Sequence, residues 1–302
     1  MGHMVARVIN VSAVPLRSPF RYPGGKTWLV PYVRQWLRSR PTKPVEFVEA
    51  FAGGGIAGLS ALFDGLASRL RLIELDEQIA AVWTTILSDG QKLSARILDF
   101  ELTRENVLAE FATPPRCIED RAFQTILRNR VQRGGIMAPG AGLLKAGENG
   151  HGIASRWYPH TLSRRILDIV DRREAITFIE GDGIDFIERH ANLKDRVWFI
   201  DPPYTVAGRR LYMHSDIDHR RLFQAVARLK GDFLMTYDNA RPIQGLADEC
   251  GFDTHLIPMK NTHHSLVYEL LISRNLAWAR RPLQLVENPL FENLKAGGNA
   301  SC

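Results

Sequence analysis

The stretch Val197-Trp-Phe-Ile-Asp-Pro-Pro-Tyr204 constrains this chain more than any other. A short apolar run, rich in aromatic and β-branched residues, is the pattern of a buried strand. Neither proline can donate to a sheet ladder, so the strand must stop at Asp201. The tetrapeptide Asp201-Pro202-Pro203-Tyr204 is then displayed at the carboxyl end of a strand, the edge of an open α/β sheet where ligands bind. Its chemistry follows from what it offers. Asp201 accepts hydrogen bonds when ionised, the carbonyl of Pro202 accepts in a direction fixed by two prolines, and Tyr204 presents a flat face. Two acceptors and a stacking ring suit a planar group bearing an NH2. The bland alternative is a solvated strand-to-loop turn, because Asp and Pro are common turn residues.

The rest of the chain supports the sharper reading. Residues Val45 to Phe51 form a strand candidate that runs into Ala52-Gly-Gly-Gly-Ile-Ala-Gly58. Gly53, Gly55 and Gly58 fit G-x-G-x-x-G, and a helical run from Ile56 to Phe63 follows. A second strand, Arg69 to Asp76, ends in an acid 18 residues past Gly58. That spacing is the one at which a carboxylate meets a ribose hydroxyl. Glu74 competes for the role, but it lies within the strand run, whereas Asp76 lies at its tip. A helix starting at Glu77 carries Ile79, Val82, Trp83, Ile86 and Leu87 as an apolar stripe.

Upstream, Pro19-Phe-Arg-Tyr-Pro-Gly-Gly-Lys26 combines flat rings, two glycines and a charge before another amphipathic helix. It reads either as half of a nucleoside pocket or as a turn before a core-facing helix.

From about Ser88 to Arg173 the alternation of strands and helices lapses. A helix over Cys117 to Arg133 ends in Arg128, Arg130 and Arg133, and a glycine-rich stretch, Gly134 to Gly142, comes after it. Lys145, Asn149, His151 and Arg156 follow, with Trp157 and Tyr158, and a further helix covers Pro159 to Arg173. Glycine loops flanked by basic and aromatic side chains suit phosphates and base edges. Solvated surface arginines are the alternative. A long structureless loop in a compact domain favours function, and the net charge of +6 favours a polyanionic partner.

Alternation then resumes. A strand from Ala175 ends at Gly181-Asp182-Gly183, where Asp182 would meet a purine amine or cap the next helix. After the Asp201 strand come a helix from Asp218 to Leu229, a strand from Phe233 to Asp238, and a closing hairpin of Thr254–Pro258 with Leu266–Ser273. His263 and His264 fall in the hairpin turn and lack a third ligand at suitable spacing, so no metal site is expected. Three scattered cysteines make neither a disulfide framework nor a metal pattern, which points to a reducing cytoplasm. No apolar run reaches the roughly 18 residues of a membrane span.

Taken in order, Pro19-Phe-Arg-Tyr-Pro-Gly-Gly-Lys26, Phe47-Val-Glu-Ala-Phe-Ala-Gly-Gly-Gly55, Asp76, the insert and Asp201-Pro-Pro-Tyr204 resemble the Dam-like (alpha-class) DNA adenine methyltransferases. The resemblance covers about residues 18 to 275. It implies an α/β fold, a Rossmann-like class I methyltransferase sheet with an inserted, mainly helical DNA-recognition lobe. The catalytic domain would comprise 18–87 and 174–275, the lobe 88–173, and a loosely ordered tail 282–302. S-adenosyl-L-methionine would be the cofactor, lined by Tyr22, Lys26, Phe51, Gly53, Gly55, Asp76 and Asp182, and meeting Asp201. Asp201, Pro202, Pro203 and Tyr204 would hold a flipped adenine of double-stranded DNA. Arg128, Arg130, Arg133, Lys145 and Arg156 would contact the DNA. Ala50 stands where the family commonly has proline, and the insert does not match its usual sequence readers. Other acceptors bearing a planar NH2 (a cytosine, an RNA adenine, a protein glutamine) keep the same fold. A nicotinamide-dependent oxidoreductase would explain the glycine motif but neither the tetrapeptide nor the basic insert.

Overall fold

The computed structural model describes residues 14–21, 25–135, 141–147, 150–203, 217–260 and 266–283. Tyr22, Tyr204, Asn149, the turn with His263 and His264, and the tail from 284 onward lie outside the described residues.

Seven strands form one sheet: β1 (Glu46–Glu49), β2 (Arg69–Glu74), β3 (Ile176–Glu180), β4 (Arg196–Ile200), β5 (Asp232–Asp238), β6 (Asp253–Lys260) and β7 (Leu266–Ser273). Their order is β3-β2-β1-β4-β5-β7-β6. The first five pair with one another in parallel. β7 runs antiparallel between β5 and β6, as the expected closing hairpin. Pro258 is tolerated because β6 is an edge strand. The apolar run of β4 is central, and Val197, Trp198, Phe199 and Ile200 are all buried.

Nine α-helices flank the sheet among the described residues: α1 (Val30–Arg38), α2 (Ile56–Phe63), α3 (Glu77–Asp99), α4 (Arg104–Ala112), α5 (Ile118–Val131), α6 (Pro159–Val170), α7 (Gly183–His190), α8 (His219–Ala227) and α9 (Arg241–Glu249). Carboxylates at the N-cap start three of them. Asp76, Asp182 and Asp218 each accept a backbone N–H of the first turn. Sequence reading overlooked α4, whose only buried side chain is Val107. The expected helix ends at Arg133 and Arg173 are shorter, at Val131 and Val170; a 3-10 turn at Arg133–Gly135 follows α5.

Two large cores result, one on each face, beside a small cluster of Val14, Val30 and Ile56. The first joins Phe47, Leu70 and Leu72 of the sheet with Trp83, Ile86, Leu93, Phe123, Ile126, Leu162 and Ile166. Helix α3 breaks at Asp89, where φ/ψ leave helical values, and its second half packs with α5 and α6. The insert helices therefore share a core with the sheet. The second core gathers Val48, Ile73, Trp198 and Ile200 with α7, α8 and α9. None of the described helices is long and apolar enough to cross a membrane.

Candidate active site

Strand order reverses between β1 and β4, since β2 and β3 lie to one side and β5 to the other. In a doubly wound sheet such a switch point opens a crevice at the carboxyl ends of the strands. Here Ala50, just past β1, donates its N–H to Phe199 of β4 at 3.1 Å. The glycine loop after β1 and Asp201 after β4 consequently leave the sheet side by side.

Asp201 is held from two sides. Thr236 on β5 donates its hydroxyl to Oδ1 of Asp201 at 2.7 Å. Lys26 Nζ lies 3.1 Å from the same oxygen and also forms an ion pair with the buried Glu269 on β7. Burial disfavours the charged form of Lys26, but the carboxylates of Asp201 and Glu269 outweigh it and raise its pKa above the ordinary lysine value. One ammonium thus sits between two carboxylates. Lys26 had been expected at the cofactor; the structure places it on Asp201. Pro202 is buried and Pro203 half-buried.

The glycine loop is braced by two further acids. Gly55, at φ 63°, starts α2 in the left-handed region, and a Cβ there would lie 2.9 Å from the Trp83 ring. Gly58 lets α2 approach β2, because its Cβ would meet Leu70 at 2.3 Å and Glu49 at 2.7 Å. Gly53 donates its N–H to Glu74 Oε2 at 2.7 Å and accepts from the Trp83 indole at 2.8 Å. Glu74 Oε1 takes the N–H groups of Leu75 and Asp76, both at 2.9 Å. Burial raises the pKa of Glu74 against these bonds. Glu49, at the end of β1, accepts from Gly58 at 2.8 Å, and burial pushes its carboxyl up to about 8.

The two acids expected to touch cofactor have structural work to do. Asp76 Oδ1 caps α3 through Gln78 at 2.8 Å and Ile79 at 3.3 Å. Asp182 caps α7 through Asp185 at 2.9 Å. The acid against the glycine loop is Glu74. Phe51 is half-buried at the same edge, packed on the second core.

The basic residues of the insert do not form one surface stripe. Arg133 and Lys145 are exposed, and Arg156 is half-buried in a 3-10 turn. Arg128 lies over the Phe111 ring, 4.8 Å from its centroid. Arg130 is 4% exposed and donates to the carbonyl of Pro19 at 2.5 Å, which makes it an interior group as placed. Asn129 beside it is fully buried. Its side-chain oxygen accepts from the N–H of Arg21 at 2.8 Å and its amide donates to the Arg21 carbonyl at 2.7 Å. The insert is thereby fastened to the segment that leads into Lys26.

Thr236, Glu269 and Asn129 escaped sequence reading. Glu269 did leave a signal, an acid inside the apolar run Leu266-Val-Tyr-Glu-Leu-Leu-Ile.

No protein-family model matches the chain, and no curated protein matches it. Solved structures with a similar fold include the rRNA methyltransferase aviRa from Streptomyces viridochromogenes, at 15% identity over 91% of this chain and 97% of that one, TM-score 0.42. The precorrin-6y C5,15-methyltransferase from Geobacter metallireducens shares 11% identity over 81% of this chain and 87% of its own, TM-score 0.36. Spermidine synthase from Thermotoga maritima shares 12% over 90% of this chain and 68% of its own, TM-score 0.39. The α/β, Rossmann-like architecture of this chain rests on its own strand order and not on these likenesses.

Proposed function

We propose that this protein transfers a methyl group from S-adenosyl-L-methionine to the exocyclic amine of adenine in DNA. The observation that carries the reading is the placement of a fixed, ion-paired Asp201 at the tip of β4, beside a glycine loop at the tip of β1. The residues of that loop fit the cofactor. Its left-handed glycines leave no side chain between backbone and ligand, and a carboxylate stands against it. Sequence spacing favours Asp76 as the partner of the ribose hydroxyls. Contact with Gly53 favours Glu74, and we assign the role to Glu74. When bound, S-adenosylmethionine supplies an electrophilic methyl group.

Asp201 and the Pro202 carbonyl would accept the two amine hydrogens, which draws the nitrogen lone pair out of the ring. On sequence grounds Tyr204 would stack on the base. Lys26 holds Asp201 in place through their ion pair. Positioning and electrostatics of this kind supply large rate factors without a covalent enzyme intermediate. The amine is inaccessible within a duplex, so the base must leave the stack, costing a few kcal/mol. The insert, residues 88–173, would grip the DNA through Arg133, Lys145 and Arg156, with Arg128 at its edge.

The test is methyl transfer from labelled S-adenosylmethionine to unmethylated genomic DNA, with product nucleosides identified by mass spectrometry. N-methylated deoxyadenosine is expected. Methylated cytosine would move the acceptor and keep the fold. Product in RNA or protein, with none in DNA, would overturn the DNA reading.

A further inference from the structure

Three arginines converge where the insert meets the amino-terminal segment. Arg130, from α5, donates to the Pro19 carbonyl, and Arg165, from α6, reaches the Ser18 carbonyl at 3.4 Å. Arg21 lies two residues further on, its backbone clamped by Asn129. The like charges feel one another. Burial, then repulsion from Arg165 and Arg21, holds Arg130 well below the usual arginine pKa; burial and then Arg21 lower that of Arg165.

Bracing two carbonyls does not account for this cluster. Among the described residues neither Arg130 nor Arg165 has a carboxylate within ion-pair distance. Arg130 is more than nine-tenths buried, and its Nε has no hydrogen-bond partner among the described residues. An interior cation without a counter-charge is costly, and a neutral donor would hold a carbonyl without that cost. Guanidinium groups offer five N–H donors in a planar fork that matches a phosphate. Arg165 is half-buried, so the cluster reaches solvent on its side.

We propose that Arg21, Arg130 and Arg165 form a site for one backbone phosphate of the DNA substrate. The inference rests on the DNA reading above. A phosphate here would offset the charge of Arg130 and Arg165 and tie both insert helices to the segment that carries Lys26 toward Asp201. Binding register and the reactive carboxylate would then be set through one short stretch of chain. None of these three residues touches the reacting amine, so they are positioning residues.

The experiment compares the wild type, Arg165→Gln and Arg165→Lys. Duplex binding is followed by fluorescence anisotropy across salt concentration, and melting temperature is followed in inorganic phosphate against chloride at equal ionic strength. Loss of one phosphate contact lowers the slope of log affinity against log salt by about 1. Arg165→Gln is expected to show that change with a several-fold weaker affinity at every sequence, and to lose the stabilisation by phosphate. Arg165→Lys should recover the slope, because it restores the charge. Equal slopes in wild type and Arg165→Gln, or equal stabilisation by phosphate, would overturn the site. Methyl transfer measured on the same duplex separates the two claims. The slope change without methylated adenine would sink the enzymatic reading and leave the phosphate site standing, and methylation with equal slopes would sink the site alone.

Discussion

Thr236 donates its hydroxyl to Asp201 at 2.7 Å, from one strand to the tip of its neighbour. The bond and the Lys26 ion pair both fall on the same carboxylate oxygen, Oδ1. A hydrogen bond to a charged group is worth about 1.5–3 kcal/mol. Thr236→Val should therefore lower the turnover of methyl transfer by about ten- to a hundredfold, with little change in cofactor affinity. Asp201→Asn should abolish transfer while circular dichroism shows an intact fold. Turnover near wild type in Asp201→Asn would remove Asp201 from the mechanism.

Lys26 is buried between Asp201 and Glu269. Lys26→Met leaves two carboxylates facing each other without a counter-charge. Removing one partner of a buried ion pair costs about 3–5 kcal/mol, and denaturant unfolding should show a loss of that size. Adding Glu269→Gln to Lys26→Met should return part of the stability, since it removes one orphaned charge. A double variant no more stable than Lys26→Met would refute the pairing as the source of the loss.

Glu74 and Asp76 are two residues apart but face different groups. Asp76→Asn keeps the cap, because Asn caps a helix as well as Asp does, so it should leave both melting temperature and cofactor affinity close to wild type. Glu74→Gln should weaken S-adenosylmethionine binding about tenfold or more, read by isothermal titration calorimetry. The reverse pattern would return the ribose role to Asp76.

Glu49 carries a pH signature. Its folded pKa, pushed up to about 8 by burial, lies above the value of about 4.3 for an unfolded chain. The folded state therefore holds the proton more tightly. That stabilisation is full below the unfolded pKa and is lost as pH rises through the folded one. Melting temperature should fall between about pH 5 and pH 8 and level off above. Asp120 works in the opposite sense. Its hydrogen bonds with Arg96 outweigh desolvation and hold it down to about 2, so its contribution is present above about pH 4 and is lost toward pH 2. Glu49→Gln should flatten the alkaline fall and leave the acid limb unchanged. A fall that persists in Glu49→Gln would assign it to another group.

The chain by itself determined the strands and the carboxyl ends at which the candidate site lies. Apolar runs of four to six residues that end in Gly, Asp or Pro specify strands and their carboxyl ends, because period, breaker and cap are local properties. The glycine loop and Asp201-Pro202-Pro203 were legible for that reason, and so was the closing hairpin. Tertiary structure decided which groups those ends meet. Thr236 comes to Asp201, and Glu269 to the Lys26 that pairs with it, only because β5 and β7 lie on that side of the switch point. Spacing along the chain singled out Asp76 at the strand tip, whereas the path of the glycine loop brings Gly53 onto Glu74 and leaves Asp76 capping α3. Arg130 read as a member of a surface cluster, but the helix it rides turns it under the amino-terminal segment. Side-chain identity and local period say what a residue offers; burial and the neighbour across a strand or helix decide whether water, a partner charge or a substrate receives it.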